Sequence, residues 1–153
     1  MDKYPLSESN RNIFLVELNK AIEDAAEDDS KNILQQDFDS LAVYPPNGGF
    51  TDEEKVALRS IASVPNAESA LRKVLANASA SVIFNMLNWI DGTSDPESED
   101  WTGVKLVDAD TVGDPPYAML HDDFYEKYWD WRKARGDKGW RLDMYDDGIP
   151  KDS

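Results

Sequence analysis

The only histidine of the chain, His121, is followed directly by Asp122 and Asp123. A histidine beside a carboxylate can act as a general base, so a small hydrolase-type enzyme is one alternative for this sequence. No residue stands out as its nucleophile, because the chain has no cysteine, no Gly-x-Ser-x-Gly elbow and no phosphate-binding glycine loop. We therefore predict no catalytic residue and favour a function other than catalysis.

Residues 108–113, Asp-Ala-Asp-Thr-Val-Gly, begin like a calcium-binding loop, with acids at the first and third positions and glycine at the sixth. The fifth position is Val112, however, and the twelfth is Met119, where such a loop carries a glutamate. One histidine and no cysteine also make a zinc site a poor fit. The sequence predicts no metal and no other cofactor, and we interpret 108–113 as a turn.

Acidic side chains dominate the stretch from Val74 to Glu126, in which Lys105 is the single Lys or Arg. With a net charge of −15, the chain should repel nucleic acid and anionic membranes and attract basic proteins. A basic protein is therefore the predicted partner, and the oligomeric state is left open. The predicted partner-binding residues are Asp95, Glu97, Glu99, Asp100, Trp101, Asp108, Asp110, Asp114, Asp122, Asp123 and Trp131.

Basic residues are concentrated after this acidic region, between Lys127 and Arg141. They allow a second interpretation, in which the last helix folds back on the acidic loops and neutralises them internally. Exposed ion pairs of that kind would contribute only about 0–1 kcal/mol each. Both interpretations hold together if some carboxylates remain uncovered, and the sequence does not choose between them.

Aromatic side chains cluster in the same C-terminal region. Phe124 and Tyr128 are four residues apart and share one helical face, where their rings could form ordinary core. Trp131 lies off that face and, like Trp101, is a candidate anchor for a partner, because Trp beside Arg is common at interface centres. A large apolar patch on the last helix would instead indicate a structural subunit.

The spacing of apolar residues predicts a mainly α protein, a helical bundle of about five helices with one short strand or hairpin near 103–112. The longest apolar pattern covers 66–91 and predicts a buried central helix that ends at Gly92. Thr51 to Glu54 has the form of a capping box and predicts the start of another helix. A last helix is expected over 121–135.

Two helices are expected before the capping box. The first should begin near Ser9 or Asn10, both good N-caps. It should end at the acidic run 27–29, because acids at a helix C-terminus oppose the helix dipole. Asp29 or Ser30 would then cap a second helix that continues to about Tyr44, before a proline- and glycine-rich break.

A chain of 153 residues with 41% hydrophobic residues can bury a core without disulfides, and we expect one domain, 1–153. The absence of cysteine and of a basic, apolar leader in the first ten residues favours a cytoplasmic location. Together these properties predict an acidic protein-binding module. Immunity proteins that neutralise secreted bacterial toxins are of this physical type, so an immunity or inhibitor protein is one specific form of the hypothesis.

Overall fold

The computed structural model describes residues 6–45, 47–109 and 133–134, and this part of the protein is mainly helical, as predicted. It contains three helices and no β-strand: α1, Glu8–Gln35; α2, Asp52–Ala62; and α3, Ala67–Asp91. The predicted last helix lies outside the described residues, except for Lys133 and Ala134, which are helical. None of the three helices combines the length and the hydropathy that a membrane span requires.

The described residues belong to two compact units. The first contains residues 6–30 and 69–109, and its buried side chains include Ala26 and Ser30. The second contains residues 31–45, 47–68 and 133–134, and it buries four further side chains: Ile33, Phe38, Pro45 and Ala67. The expectation that the whole chain is one domain stays a prediction.

The helix α1 continues through the acidic run 27–29, where the sequence predicted one helix to end and another to begin. Ser30, expected as a cap, is fully buried, and its hydroxyl donates to the carbonyl oxygen of Glu27 at 2.9 Å. The carboxylate of Glu27 in turn lies 2.9 Å from the guanidinium of Arg72. The predicted boundary was wrong because contacts along the helix and with α3 satisfy these polar groups.

The end of α1 at Gln35 is a Schellman motif in which Gln36 has a left-handed backbone, with φ of 60°. The Asp37 N–H donates to the carbonyl oxygen of Asn32 at 2.9 Å, and the Gln36 N–H donates to that of Ile33 at 3.2 Å. The predicted second helix to Tyr44 was therefore wrong. The sequence did not indicate this helix end, because the left-handed position is usually a glycine and here it is Gln36.

The second unit packs around Phe38, which is 6% exposed. The rings of Phe38 and Phe50 meet edge to face with centroids 6.4 Å apart, and the guanidinium carbon of Arg59 lies 5.6 Å from the Phe38 centroid. The predicted capping box is confirmed: Glu54 N–H donates to the Thr51 hydroxyl at 3.2 Å, and Thr51 N–H donates to the Glu54 carboxylate at 2.7 Å. It holds the start of α2 beside Phe50.

The helix α3 has nearly the predicted bounds, but the prediction that it is a buried central helix was wrong. Ala67 is its one buried residue, whereas Val82 and Phe84 are 69% and 66% exposed. Its apolar residues were expected to be enclosed all round, and they are covered on one side only. Gly92 follows α3 with a left-handed φ of 68°, as predicted.

The segment 101–108 was predicted to include a strand, and that prediction was wrong for the described residues. No other described segment pairs with it, and Gly103 has φ of 91°, which lies outside the range of a regular β-strand. Residues 110–112, the remainder of the predicted strand or hairpin, lie outside the described residues.

Candidate protein-binding surface

The candidate surface begins where α3 ends, and the backbone there is tied to the last turn of the helix. Gly92 takes the left-handed position. The N–H of Thr93 donates to the carbonyl oxygen of Asn88 at 3.0 Å, which is the 6→1 hydrogen bond of a Schellman motif. The Thr93 hydroxyl also donates to the side-chain oxygen of Asn88 at 2.7 Å. These bonds fix the direction in which the chain leaves α3.

Two hydrogen bonds fold the following segment back on itself. The N–H of Ser98 donates to the carbonyl oxygen of Pro96 at 2.8 Å, and the N–H of Trp101 donates to that of Ser98 at 3.2 Å. We name residues 95–100 the acidic loop. Its four carboxylate side chains are all exposed: Asp95, Glu97, Glu99 and Asp100.

The charge of the acidic loop is not neutralised within the part of the chain that the structure describes. None of its four carboxylates forms an ion pair there, whereas Arg72 is paired with Glu27 on the helices. Lys105, the nearest basic residue in sequence, is exposed. Four negative charges within six residues therefore face solvent and set up a local negative field, which attracts cations at long range.

Trp101, one of the two predicted anchors, stands at the end of the acidic loop with its ring half-buried. Its backbone is held by the bond to Ser98, so the ring projects from a fixed position in the chain. An indole that keeps part of its surface in water can bury that surface against a partner. The anchoring role of Trp101 stays a prediction.

Asp108, another predicted partner-binding residue, contacts the start of α1. Its Oδ1 accepts hydrogen bonds from the Asn10 side-chain amide at 2.9 Å and from the Ser7 N–H at 3.2 Å. These two bonds, that of Asn10 first, lower the pKa of the Asp108 carboxyl group. Ser7 also caps α1, because its hydroxyl accepts from the Asn10 N–H at 3.3 Å, so the helix starts earlier than the predicted caps Ser9 or Asn10.

The remaining predicted site residues lie outside the described residues: Asp110, Asp114, Asp122, Asp123 and Trp131. The same holds for His121 and for the predicted turn after Ala109. The structure therefore describes the acidic loop and Trp101, places Asp108 against the start of α1, and leaves the other predicted site residues as predictions. In the residues that it does describe, no three acidic or histidine side chains converge as they would around a metal ion.

Sequence reasoning missed an exposed apolar face on α3. Val74, Val82, Met86 and Trp89 are 65%, 69%, 37% and 39% exposed, and Ala78 between them is exposed as well. The signal was present, because residues 74–90 contain no charged side chain. It was interpreted as the mark of a helix buried inside the domain.

No protein-family model, curated protein or solved structure matches this chain. The function is therefore inferred from the surface itself.

Proposed function

We propose that this protein is an acidic protein-binding module that captures a basic macromolecular partner through the acidic loop. The observation that carries the proposal is the exposure of all four loop carboxylates, none of which is paired with a described basic residue. Carboxylates that fold back on their own chain would lose solvent and gain cationic neighbours. Those of the loop are exposed and form no ion pair with a described basic residue. Of the basic residues between Lys127 and Arg141, the structure describes Lys133 alone, so neutralisation of the loop by that segment stays the alternative to capture of a partner.

The loop is also suited to binding because its backbone geometry is fixed before a partner arrives. The bonds from Thr93 to Asn88 hold its start, and the turn from Ser98 to Trp101 holds its end. A loop with preformed geometry loses less conformational entropy on binding than a loop that must be ordered. The acidic loop would therefore present its charges in nearly the bound arrangement.

In the complex, the four carboxylates would meet lysine and arginine side chains of the partner. Long-range attraction speeds the encounter, and charge-assisted hydrogen bonds then fix the orientation. A partner whose basic surface normally binds phosphate groups would have that surface blocked by these carboxylates. An immunity or inhibitor protein that neutralises a basic bacterial toxin would work in this way. The ring of Trp101 would then fill an apolar pocket of the toxin beside its basic surface.

The proposal is tested by removing charge from the acidic loop. In the variant Glu97→Gln, Glu99→Gln, Asp100→Asn, we expect the association rate with a basic partner to fall at least about tenfold at low salt. The partner is first recovered from lysate and secreted protein on the immobilised full chain. Association and dissociation are then measured separately, at low and at high salt, with that purified partner.

A matched control removes the same number of charges from the exposed surface of α1, in the variant Glu17→Gln, Glu23→Gln, Asp24→Asn. Both variants have the same net charge, so the comparison separates a local site from a general effect of charge. We expect the control to bind within about twofold of the unchanged protein. Equal losses in the two variants, or no loss in either, would show that the acidic loop is not the binding site.

A further inference from the structure

The connection between α1 and α2 contains the only asparagine of the chain that is followed by a glycine, Asn47 before Gly48. Asn47 is exposed and has a left-handed backbone, with φ of 61°. The N–H of Gly48 donates to the carbonyl oxygen of Pro45 at 2.7 Å, which closes a tight turn. Because Pro45 is fully buried, this turn joins the core of the second unit to an exposed asparagine.

The folded backbone favours these two residue types at these two positions. A left-handed φ strains most residues with a side chain, and asparagine is one of the few that tolerate it. Gly48 has no room for a side chain, because a Cβ there would lie 2.8 Å from the carbonyl oxygen of Ala42 and 3.0 Å from that of Pro45. Packing therefore places next to Asn47 the residue that shields it least from attack by the backbone.

An asparagine in this position can react with its own backbone, because the two reacting groups belong to neighbouring residues. The backbone nitrogen of Gly48 attacks Cγ of Asn47 and forms a new C–N bond that closes a succinimide ring. The bond from Cγ to the side-chain nitrogen breaks, and that nitrogen leaves as ammonia with the proton from Gly48. Water then opens the ring, at Cγ to give aspartate or at the backbone carbonyl carbon to give isoaspartate.

We propose that Asn47 is a site of spontaneous deamidation and that the folded turn protects it. The attacking nitrogen must lose its proton, and in the folded protein that N–H is bound to the carbonyl oxygen of Pro45. Reaction therefore requires the turn to open. Local opening has its own free energy, which ranges up to that of global unfolding. The rate of deamidation should follow the fraction of molecules in which the turn is open.

The two products should differ in their effect on the second unit. Aspartate keeps the backbone length and tolerates the left-handed region, so the turn can close again. Isoaspartate lengthens the backbone between Asn47 and Gly48 by one methylene group. A Cβ at Gly48 would already lie within 3.1 Å of three backbone carbonyl oxygens, so the longer chain cannot close the turn without displacing them. Isoaspartate should therefore lower the stability of the second unit.

This site is separate from the proposed function. Asn47 belongs to the second compact unit, whereas the acidic loop belongs to the first. Failure of the deamidation proposal would leave capture of a basic partner untouched, and loss of that capture would leave the chemistry of Asn47 untouched.

The chain provides a matched control in Asn66. It is exposed and has a left-handed φ of 64°, and the N–H of the following residue, Ala67, donates to the carbonyl oxygen of Val64 at 3.2 Å. The two asparagines therefore share their exposure, their backbone angle and the hydrogen bond that follows them. They differ in the next residue, because the Cβ of Ala67 hinders the attack that Gly48 permits.

The first test follows both asparagines by peptide mass spectrometry while the full chain is kept in mildly alkaline buffer, with and without urea. In urea, Asn47 should convert at least about tenfold faster than Asn66, because glycine follows it. Without urea, conversion of Asn47 should be at least about tenfold slower, because the turn is closed. A synthetic peptide of residues 44–50, which has no fold to lose, measures the effect of urea on the reaction itself.

Equal rates at the two asparagines in urea would overturn the assignment of Asn47 as the reactive site. An Asn47 rate that urea changes no more in the full chain than in the peptide would overturn protection by the turn.

The second test separates the reaction from its consequence by thermal unfolding. Asn47→Gly removes the reactive amide and suits the left-handed φ, so its melting temperature should not change after the same treatment in urea and return to buffer. Asn47→Asp represents the aspartate product and should melt close to the unchanged protein. The treated unchanged protein should contain a fraction that melts at lower temperature and is enriched in isoaspartate by electron-transfer fragmentation. A treated protein that melts like Asn47→Asp throughout would overturn the predicted effect of isoaspartate.

Discussion

The carboxylate of Asp108 lies 2.9 Å from the side-chain amide nitrogen of Asn10, although 98 residues separate them in the sequence. The same oxygen accepts from the N–H of Ser7, which precedes the first residue of α1. A negative charge at this end of a helix is favourable, because the unpaired N–H groups there carry partial positive charge. This contact therefore closes the first unit by joining its last described segment to its first.

Replacement of Asp108 by Asn should lower the stability of the protein at neutral pH, because a neutral amide is a weaker acceptor for the Asn10 and Ser7 donors. Asp108→Ala should lower it further, because both donors then lose their acceptor. Thermal unfolding of the full chain measures both effects. Asp100→Asn, at an exposed position of the acidic loop, is the control and should leave the melting temperature nearly unchanged.

The same contact predicts a specific dependence on acid. The folded-state pKa of Asp108 is lowered below the ordinary value of 3.8. The folded protein therefore holds this proton less tightly than the unfolded chain. Stability from this group is complete well above pH 3.8 and is lost as pH falls through the lowered folded-state value. Asp108→Asn should therefore reduce the slope of the free energy of unfolding against pH in that acidic range. An unchanged slope would contradict the contribution of Asp108 to the pH dependence.

Phe38 and Phe84 offer a matched pair for testing where the core lies, since they are 6% and 66% exposed. Phe38→Ala should cost about 3–5 kcal/mol of unfolding free energy, because it opens a cavity beside Phe50 and removes the ring below Arg59. Phe84→Ala should cost no more than about 0.5 kcal/mol, as is usual at surface positions. Denaturant titration measures both, and similar losses would contradict this placement of the core.

Gly92 controls the start of the acidic loop through its backbone alone. An added Cβ would meet no atom within 4 Å, but the φ of 68° is unfavourable for any residue with a side chain. Gly92→Ala should therefore cost about 1 kcal/mol of unfolding free energy. Gly92→Asn should cost less, since asparagine tolerates the left-handed region. Equal losses would indicate that the added side-chain bulk, and not the backbone angle, causes the strain.

If the loop geometry matters for binding, Gly92→Ala should also slow association with a basic partner more than Gly92→Asn does. The relevant rates come from the experiment already described for the loop carboxylates. The association rate could instead fall in the charge variant and stay unchanged in both Gly92 variants. That result would support electrostatic attraction and would contradict a role for the preformed loop geometry.

Features that depend on neighbouring residues were predicted well from the sequence. The capping box at Thr51 and Glu54 and the glycine end of α3 both follow from hydrogen bonds that close within one or two turns. The negative charge of the acidic loop follows from composition in the same direct way. Such features need no knowledge of what packs where, so the sequence determines them alone.

Features that depend on distant contacts were not predictable in this way. The helix α1 continues through Asp29 because Ser30 is buried and because Glu27 forms an ion pair with Arg72. Neither feature follows from a local sequence pattern. Burial and the adjacent Asp28 raise the pKa of Asp29, so the acids there are tolerated at a cost. Favourable contacts elsewhere along the helix outweigh that local disadvantage.

The sequence by itself determined that the protein is mainly helical, strongly acidic, and provided with an uncharged stretch in residues 74–90. Only the tertiary structure decided that this stretch keeps an exposed apolar face and that Asp108 binds the start of α1. The physical reason is common to both. The sequence shows that an apolar side chain favours burial and that a carboxylate favours hydrogen-bond donors or cations. Which residues cover the one or bind the other depends on which parts of the chain come together in space.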